Sequence, residues 1–376
     1  MGNIYDLETP VVLVDLDRLE ANISEMARIA ERGGKGLRPH IKSHKCAEIA
    51  RLQRSAGAIG LTVAKLDEAL VLAGLNLENG SWGHPVFADL DLFIANEIVS
   101  EEKVYGLLAL MDRVRVTVGV DSVEGASALS RVALRAGGSR IPVRMEIDTG
   151  HRRAGVQTWE EARTLAHEIG DLAGIELCGL FTHEGHTYSA VNDGGRRDVV
   201  ATAAAQMRSF AEGLRAEGFA IDAISMGSTP GARFVADETD VTEMRPGNYV
   251  FLDRMQVEMD ASEESCALTV LATVISRRPD GRLLLDCGTK TLASDRPFAD
   301  GTFGKILDHP ELVFFGASEE HGNVRIEGEC RLKVGDRVRV LPNHACTCVN
   351  MHSTLTAYRG EHVETVWAVA ARGCVR

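Results

Sequence analysis

Lys42 stands in the run Leu37-Arg38-Pro39-His40-Ile41-Lys42-Ser43-His44-Lys45, which crowds arginine, histidine and lysine around one amine. Such a lysine has two chemical uses. It can bind an anion, or it can lose its proton and attack a carbonyl to form a Schiff base. Neighbouring positive charge and burial both favour the neutral amine. A basic surface turn is the alternative without chemistry, because lysine is mostly exposed. Four further polar motifs each follow an apolar run: Asp148-Thr149-Gly150-His151-Arg152-Arg153-Ala154-Gly155, Thr182-His183-Glu184-Gly185-His186-Thr187-Tyr188, Met226-Gly227-Ser228-Thr229-Pro230-Gly231, and Arg245-Pro246-Gly247-Asn248-Tyr249. In Gly227-Ser228-Thr229 small residues let backbone N–H groups approach a phosphate, and hydroxyls add donors. Arg153 suits a phenolate or carboxylate, or else a surface ion pair. His183 and His186 suit acid–base work or stacking on a ring, and equally a structural role. Far along the chain, His344-Ala345-Cys346-Thr347-Cys348 follows the apolar run 338–341. If this segment is extended, His344 and Cys346 share one side, with Cys348 beside them. An imidazole and a thiolate on one side make half a zinc site. A small buried cysteine beside a satisfied histidine is the plainer account.

These motifs need elements to hold them. Apolar runs at 11–15, 60–63, 92–95, 114–120, 142–148, 177–181, 223–226 and 249–252 read as strands. Helical patterns separate several of them: 17–31, with Asp17 as its expected N-cap and Gly33-Gly34 as its stop, then 47–56, 66–74, 159–173 and 196–218. Repeated strand–helix alternation predicts a parallel α/β structure, and the length fits a (β/α)8 barrel. Beyond about residue 253 the pattern changes to strands and turns, with Pro279-Asp280-Gly281 and Tyr358-Arg359-Gly360 as turn signals. The expectation is a TIM-like (β/α)8 barrel over 17–254 and a mainly β domain over 255–376 joined by the segment 1–16. Active sites of such barrels form where the strands end, which is where five of the polar motifs fall, so one shared pocket is expected.

Bulk properties narrow the class. The 376 residues are 45% hydrophobic and 25% charged, as in ordinary globular proteins. A net charge of −13 argues against a nucleic-acid partner. No uninterrupted apolar run is long enough to span a membrane, and the first residues lack the basic and apolar regions of a signal peptide. The eight cysteines are scattered, so reduced thiols in the cytoplasm are expected.

Taken together, the chain resembles the D-threonine aldolase / D-serine dehydratase family, pyridoxal phosphate enzymes that share the barrel of alanine racemase. The resemblance rests on Thr9-Pro10 with Val14-Asp15-Leu16-Asp17, the run Arg38–Lys45, Ala95-Asn96-Glu97, Asp148-Thr149-Gly150 with Arg153 and Gly155, Gly227-Ser228-Thr229-Pro230, Arg245-Pro246-Gly247-Asn248-Tyr249, Glu320-His321-Gly322, and Pro342-Asn343-His344 with Cys346 and Asn350, in that order along nearly the whole chain. It implies that Lys42 forms the Schiff base with pyridoxal 5'-phosphate and that Arg153 contacts the phenolic oxygen. It further implies that Gly227, Ser228, Thr229, Gly247 and Asn248 cradle the phosphate with help from Tyr249, and that His40 and Tyr188 lie at the cofactor. His344 and Cys346 are implied as ligands of a divalent metal that binds the substrate's β-hydroxyl. Zinc is favoured over manganese or magnesium, since a thiolate is a soft ligand.

The implied substrate is a D-β-hydroxy amino acid and the implied assembly a homodimer. Members with His and Cys at the metal are typically dehydratases, and well-known aldolases carry His and Asp. Dehydration is therefore the leading expectation, with Lys42 as the base at Cα. Retro-aldol cleavage, with His183 or His186 as base, is the second. An amino-acid racemase and a non-catalytic carrier of the cofactor are more distant readings. The stretch 76–86 is longer than the family pattern, and the 183–188 region aligns in more than one way.

Overall fold

A computed structural model describes residues 2–296 and 300–376. It divides into two compact units, one comprising residues up to Ser24, Ser43–Ile49 and Asn248–Gly373, the other Glu25–Lys42, Ala50–Gly247 and Cys374–Arg376. Among the described residues no helix is long and apolar enough to cross a membrane.

The second unit is built on eight parallel strands. Their order is Gly36–Leu37, Glu243–Met244, Ala223–Met226, Ile175–Phe181, Ile141–Glu146, Arg115–Val120, Asp91–Glu97 and Leu61–Val63. The two ends of that order meet: Thr62 N donates to Pro39 O at 2.8 Å, and His40 and Thr62 form a parallel bridge. The barrel is thereby closed, as the strand–helix alternation predicted. Both its shortest strands escape a pattern search. Gly36–Leu37 carries two residues, and the run 249–252, expected as a strand, begins instead as the 3-10 turn Asn248–Val250; the strand nearest it is Glu243–Met244. Helix ends follow local chemistry. Thr158 and Glu161 form a capping box on the helix Trp159–Asp171. For the helix Leu16–Arg32, the cap is Asp15 and not Asp17: Asp15 Oδ1 accepts from Arg18 N at 3.1 Å.

A charged cluster, not only aliphatic residues, fills the barrel. Glu243, fully enclosed, accepts from Arg38 Nε at 3.0 Å, Ser225 Oγ at 2.6 Å and the Arg144 guanidinium. Arg38 also pairs with Asp91 at 2.6 Å, and Arg245 Nε donates to Ser225 Oγ at 2.7 Å and its Nη2 to Thr182 O. The guanidinium of Arg144 lies 4.7 Å from the centre of the Phe93 ring, and that of Arg245 lies 5.4 Å from Phe93 and 5.3 Å from Phe181. Phe181 in turn requires Gly119, because a Cβ there would come within 2.8 Å of the ring.

In the first unit an apolar strand near the N-terminus, Val11–Asp15, lies between Leu268–Arg277 and Thr354–Arg359, antiparallel to the former and parallel to the latter. The sheet continues through Arg282–Leu285, Gly322–Ile326 and Leu312–Ala317 on one side and His362–Ala368 on the other. Arg337–Pro342 pairs with Leu268–Arg277 and with Gly304–Ile306. This is the mainly β domain expected after the barrel.

Glu243 allows a stability test. Burial opposes its charge, but Arg38, Arg144 and Ser225 outweigh burial and lower its pKa from 4.5 to about 2. A depressed folded pKa means that the carboxylate's contribution is complete above about 4.5 and is lost as pH falls toward about 2. Glu243→Gln is expected to lower the unfolding free energy at pH 7 by about 3–5 kcal/mol, because it leaves buried guanidinium groups uncompensated. In urea titrations the difference from the unmodified protein should shrink as the pH is taken down through that window; a difference independent of pH would contradict the assignment.

Candidate active site

The strand ends of the barrel carry the polar motifs. His40 is buried and Lys42, two residues on, lies in the 3-10 turn Ile41–Ser43. Lys42 itself is exposed, between buried Ile41 and Ser43. Lys42 is therefore not buried, contrary to what the sequence led us to expect, and its charge acts on its neighbours. His40 shows this. Burial first, then Lys42, Arg245, His183 and Arg153, push its pKa well below the usual 6.5. His183 is lowered in the same way, by burial and then by Lys42, Arg153, Arg245 and His151. Both imidazoles are thus neutral at neutral pH and add nothing to the positive charge around Lys42. The structure brings Lys42, His40, Arg153 and His183 together in one neighbourhood. His186 Nδ1 is buried without a hydrogen-bond partner, close to the backbone of Gly150.

Arg153 is 53% exposed and reaches Glu146 at 3.6 Å. Glu146 is buried at the end of its strand, hydrogen-bonded to Glu97 from the end of another. Burial, and then the neighbouring Glu97, raise the Glu146 pKa to about 8, against the pull of Arg153 and Arg245. Glu146 therefore keeps its proton at neutral pH. The sequence did not single out Glu146, which reads as one more residue of an apolar strand.

Gly227-Ser228-Thr229 follow the strand Ala223–Met226. Gly227 has φ +138°, and a Cβ on it would lie 2.7 Å from Arg245 N, so the turn demands glycine. Its N–H donates to the buried Glu184 at 3.0 Å. Ser228 Oγ lies 3.1 Å from Thr187 Oγ1 and accepts from Gly231 N at 3.2 Å. Thr229 Oγ1 is buried with no partner. A hydroxyl left unsatisfied beside a glycine turn fits a phosphate that would complete it. Tyr188 is half-buried in the turn Gly185–Ser189.

The second group of residues lies in the other unit. The segment 344–348 is not extended. The strand Arg337–Pro342 ends, His344 caps the short helix Ala345–Met351, and side chains no longer alternate. Cys348 consequently points away into the core, donating to Thr291 O at 3.2 Å. His344 and Cys346 still meet, within hydrogen-bonding reach. Burial disfavours charge on His344, but Cys346, Asp253 and Asp295 outweigh it and raise its pKa to about 10. Asp253, wholly buried, accepts from Ala345 N at 2.8 Å, Asn248 Nδ2 at 2.6 Å and Gln256 N at 3.0 Å. One carboxylate thus ties Asn248 to the start of the helix that carries Cys346. Gly247 is half-buried, and Asn248 and Tyr249 are buried. Among the described residues no three of His, Cys, Asp and Glu form a cluster able to hold a metal. The imidazole–thiol pair alone fits a soft divalent metal as two of its ligands.

A family profile for the alanine racemase N-terminal domain matches residues 14–255, and one for a putative serine dehydratase domain matches residues 267–358. The chain is 34% identical to D-threonine aldolase from Arthrobacter sp, over 98% of this chain and 94% of that one. The chain belongs to the D-threonine aldolase / D-serine dehydratase family. Within the family it is also 33% identical to D-threo-3-hydroxyaspartate dehydratase from Delftia sp. (strain HT23), over 91% of this chain and 92% of that one. The solved structure of that dehydratase has a TM-score of 0.88, covering 98% of this chain and 99% of that chain.

The carboxyl pair yields a direct check. A raised folded pKa means that the native protein keeps this proton between about 4.5 and 8, so stability from this group declines as pH rises through that range. Infrared difference spectra are expected to show a buried protonated carboxyl at pH 7 that disappears as pH passes about 8. Glu146→Gln should lack the titrating band; a band unchanged in that variant would remove Glu146 from the assignment.

Proposed function

We propose that this chain is a pyridoxal 5'-phosphate- and divalent metal-dependent lyase of D-β-hydroxy amino acids, and that it is a dehydratase producing an oxo acid and ammonia. The pair His344 and Cys346 carries the choice of dehydration. Variants of D-threo-3-hydroxyaspartate dehydratase have been solved in which a histidine, and separately a cysteine two positions further on, is replaced by alanine; the cysteine variant is in the metal-free form. This chain has the same residue types at the same spacing. A thiolate at that place favours zinc over manganese or magnesium. The second reading, retro-aldol cleavage to glycine and an aldehyde, is favoured by the 34% identity to D-threonine aldolase.

In this reading residues 17–254 bind the cofactor, residues 255–376 bind the metal, and 1–16 belong with the latter. When bound, pyridoxal phosphate supplies an electron sink for charge at the substrate Cα, and the metal a Lewis acid at the β-oxygen. The chain's own residues then have distinct tasks. Lys42 Nζ would anchor the cofactor and would be the base that takes the proton from Cα. Arg153 holds the phenolic oxygen, with the Glu97–Glu146 pair behind it. Gly227, Ser228, Thr229, Gly247 and Asn248 hold the phosphate, aided by Tyr249. His40 and Tyr188 flank the ring, His40 without adding charge because it is neutral. His344 and Cys346 would hold the metal. His183 and His186 are the candidate bases if the Cα–Cβ bond breaks instead. The eight free cysteines support a reducing, cytoplasmic setting, and the family resemblance supports a homodimer.

The deciding experiment incubates the metal- and cofactor-loaded protein with D-serine, D-threonine and D-threo-3-hydroxyaspartate. Oxo acid and ammonia are expected in equal amounts. Glycine with an aldehyde, and no ammonia, would replace dehydration by the aldol reading. Lys42→Ala is expected to lose the visible absorbance of the anchored cofactor and to reduce turnover by at least about 1,000-fold; unmodified turnover in that variant would dismiss Lys42.

A further inference from the structure

We propose that Asp295 is the positioning residue of the metal site: its carboxylate holds the His344 ring through Nδ1 and leaves Nε2 as the ligating nitrogen. The inference rests on the assignment of His344 and Cys346 as ligands. Asp295 Oδ2 lies 2.8 Å from His344 Nδ1. The same oxygen accepts from Thr347 Oγ1 at 2.7 Å, and Thr347 Oγ1 also reaches His344 O at 3.2 Å. The backbone is pinned as well, since Asn343 Nδ2 donates to Asp295 O at 2.9 Å and to Thr302 O at 2.8 Å. Residues on both sides of the contact are therefore tied to each other by side chain and main chain.

The chemistry follows from the two nitrogens of imidazole. A neutral ring carries hydrogen on only one of them, and a carboxylate facing Nδ1 selects the Nδ1–H form. The lone pair then sits on Nε2, with its direction fixed and its basicity raised by the carboxylate. Without Asp295 the ring is free to turn about Cβ–Cγ and to present either nitrogen. Asp295 is not itself assigned as a ligand. Its Oδ2 is already engaged by the His344 ring and the Thr347 hydroxyl, and no described group of three His, Cys, Asp or Glu residues is arranged around one ion. The sequence gives no hint of this partner, which precedes His344 by 49 positions in a loop.

The test uses the full-length protein, stripped of metal and titrated with Zn2+ against a chromogenic chelator. Asp295→Asn is expected to weaken Zn2+ binding by about 10–100-fold. Thr347→Val, which removes the second bond to Oδ2 together with the contact to His344 O, is expected to weaken it by about 2–5-fold. At saturating Co2+ both variants should keep the thiolate charge-transfer absorption and the ligand-field bands of the unmodified protein, because the ligand set is unchanged. Unaltered Zn2+ affinity in Asp295→Asn would overturn the proposal. So would altered ligand-field bands at saturation, which would make Asp295 a ligand. His344→Ala and Cys346→Ala separate this outcome from failure of the underlying assignment: if either binds Zn2+ as tightly as the unmodified protein, the ligand pair itself is wrong and the role of Asp295 falls with it. Melting curves of the metal-free proteins check that the variants are folded.

Discussion

Glu243 holds the barrel together where its strands are shortest. The strand Glu243–Met244 contributes only two residues between Gly36–Leu37 and Ala223–Met226, too few for backbone pairing alone to define the register. Its carboxylate supplies what the ladder lacks, gripping Arg38 beyond one neighbouring strand, Ser225 on the other, and Arg144 across the interior. Arg245 is held through the same Ser225. Asp91 and the buried Glu184 add further negative charge beside these guanidinium groups. Arg245 in turn is among the charges that, after burial and Lys42, help to make His40 and His183 give up their protons.

Protons in the barrel follow the partner as well as burial. Glu146 is raised by burial and by Glu97, Glu243 is held ionised by its arginines, and His40 and His183 are lowered by burial and by Lys42. In the other unit His344 is surrounded by Cys346, Asp253 and Asp295, and the raised value of its pKa reports an environment made for a cation.

Much of this was legible because strand–helix alternation repeats, and because polar motifs follow the strands at each turn. Lys42, Gly227 and Arg153 stand out as residue types in motifs, and those motifs are contiguous. Three features were not legible for three physical reasons. The strands Gly36–Leu37 and Glu243–Met244 are too short for any periodicity to register. The segment after Pro342 forms a helix whose first N–H is accepted by Asp253, so the alternation expected of His344 and Cys346 is absent although the two side chains still meet. Glu146 and Asp295 act through partners distant in sequence, and nothing in their own neighbourhoods marks them. The exposure of Lys42 is a tertiary property, set by the mouth of the barrel and not by the residues beside it.

The pairing of Val11–Asp15 bears on how the chain is made. This apolar strand leaves the ribosome well before the strands that flank it: Val11 aligns with Leu271, and Leu13 with Thr356. At a synthesis rate of about 5–20 residues per second, the strand waits for tens of seconds with both edges unsatisfied. Neither unit is one continuous stretch, so no truncation releases either of them intact. Nascent chains of this protein therefore carry an open, sticky edge until both flanking strands have been made.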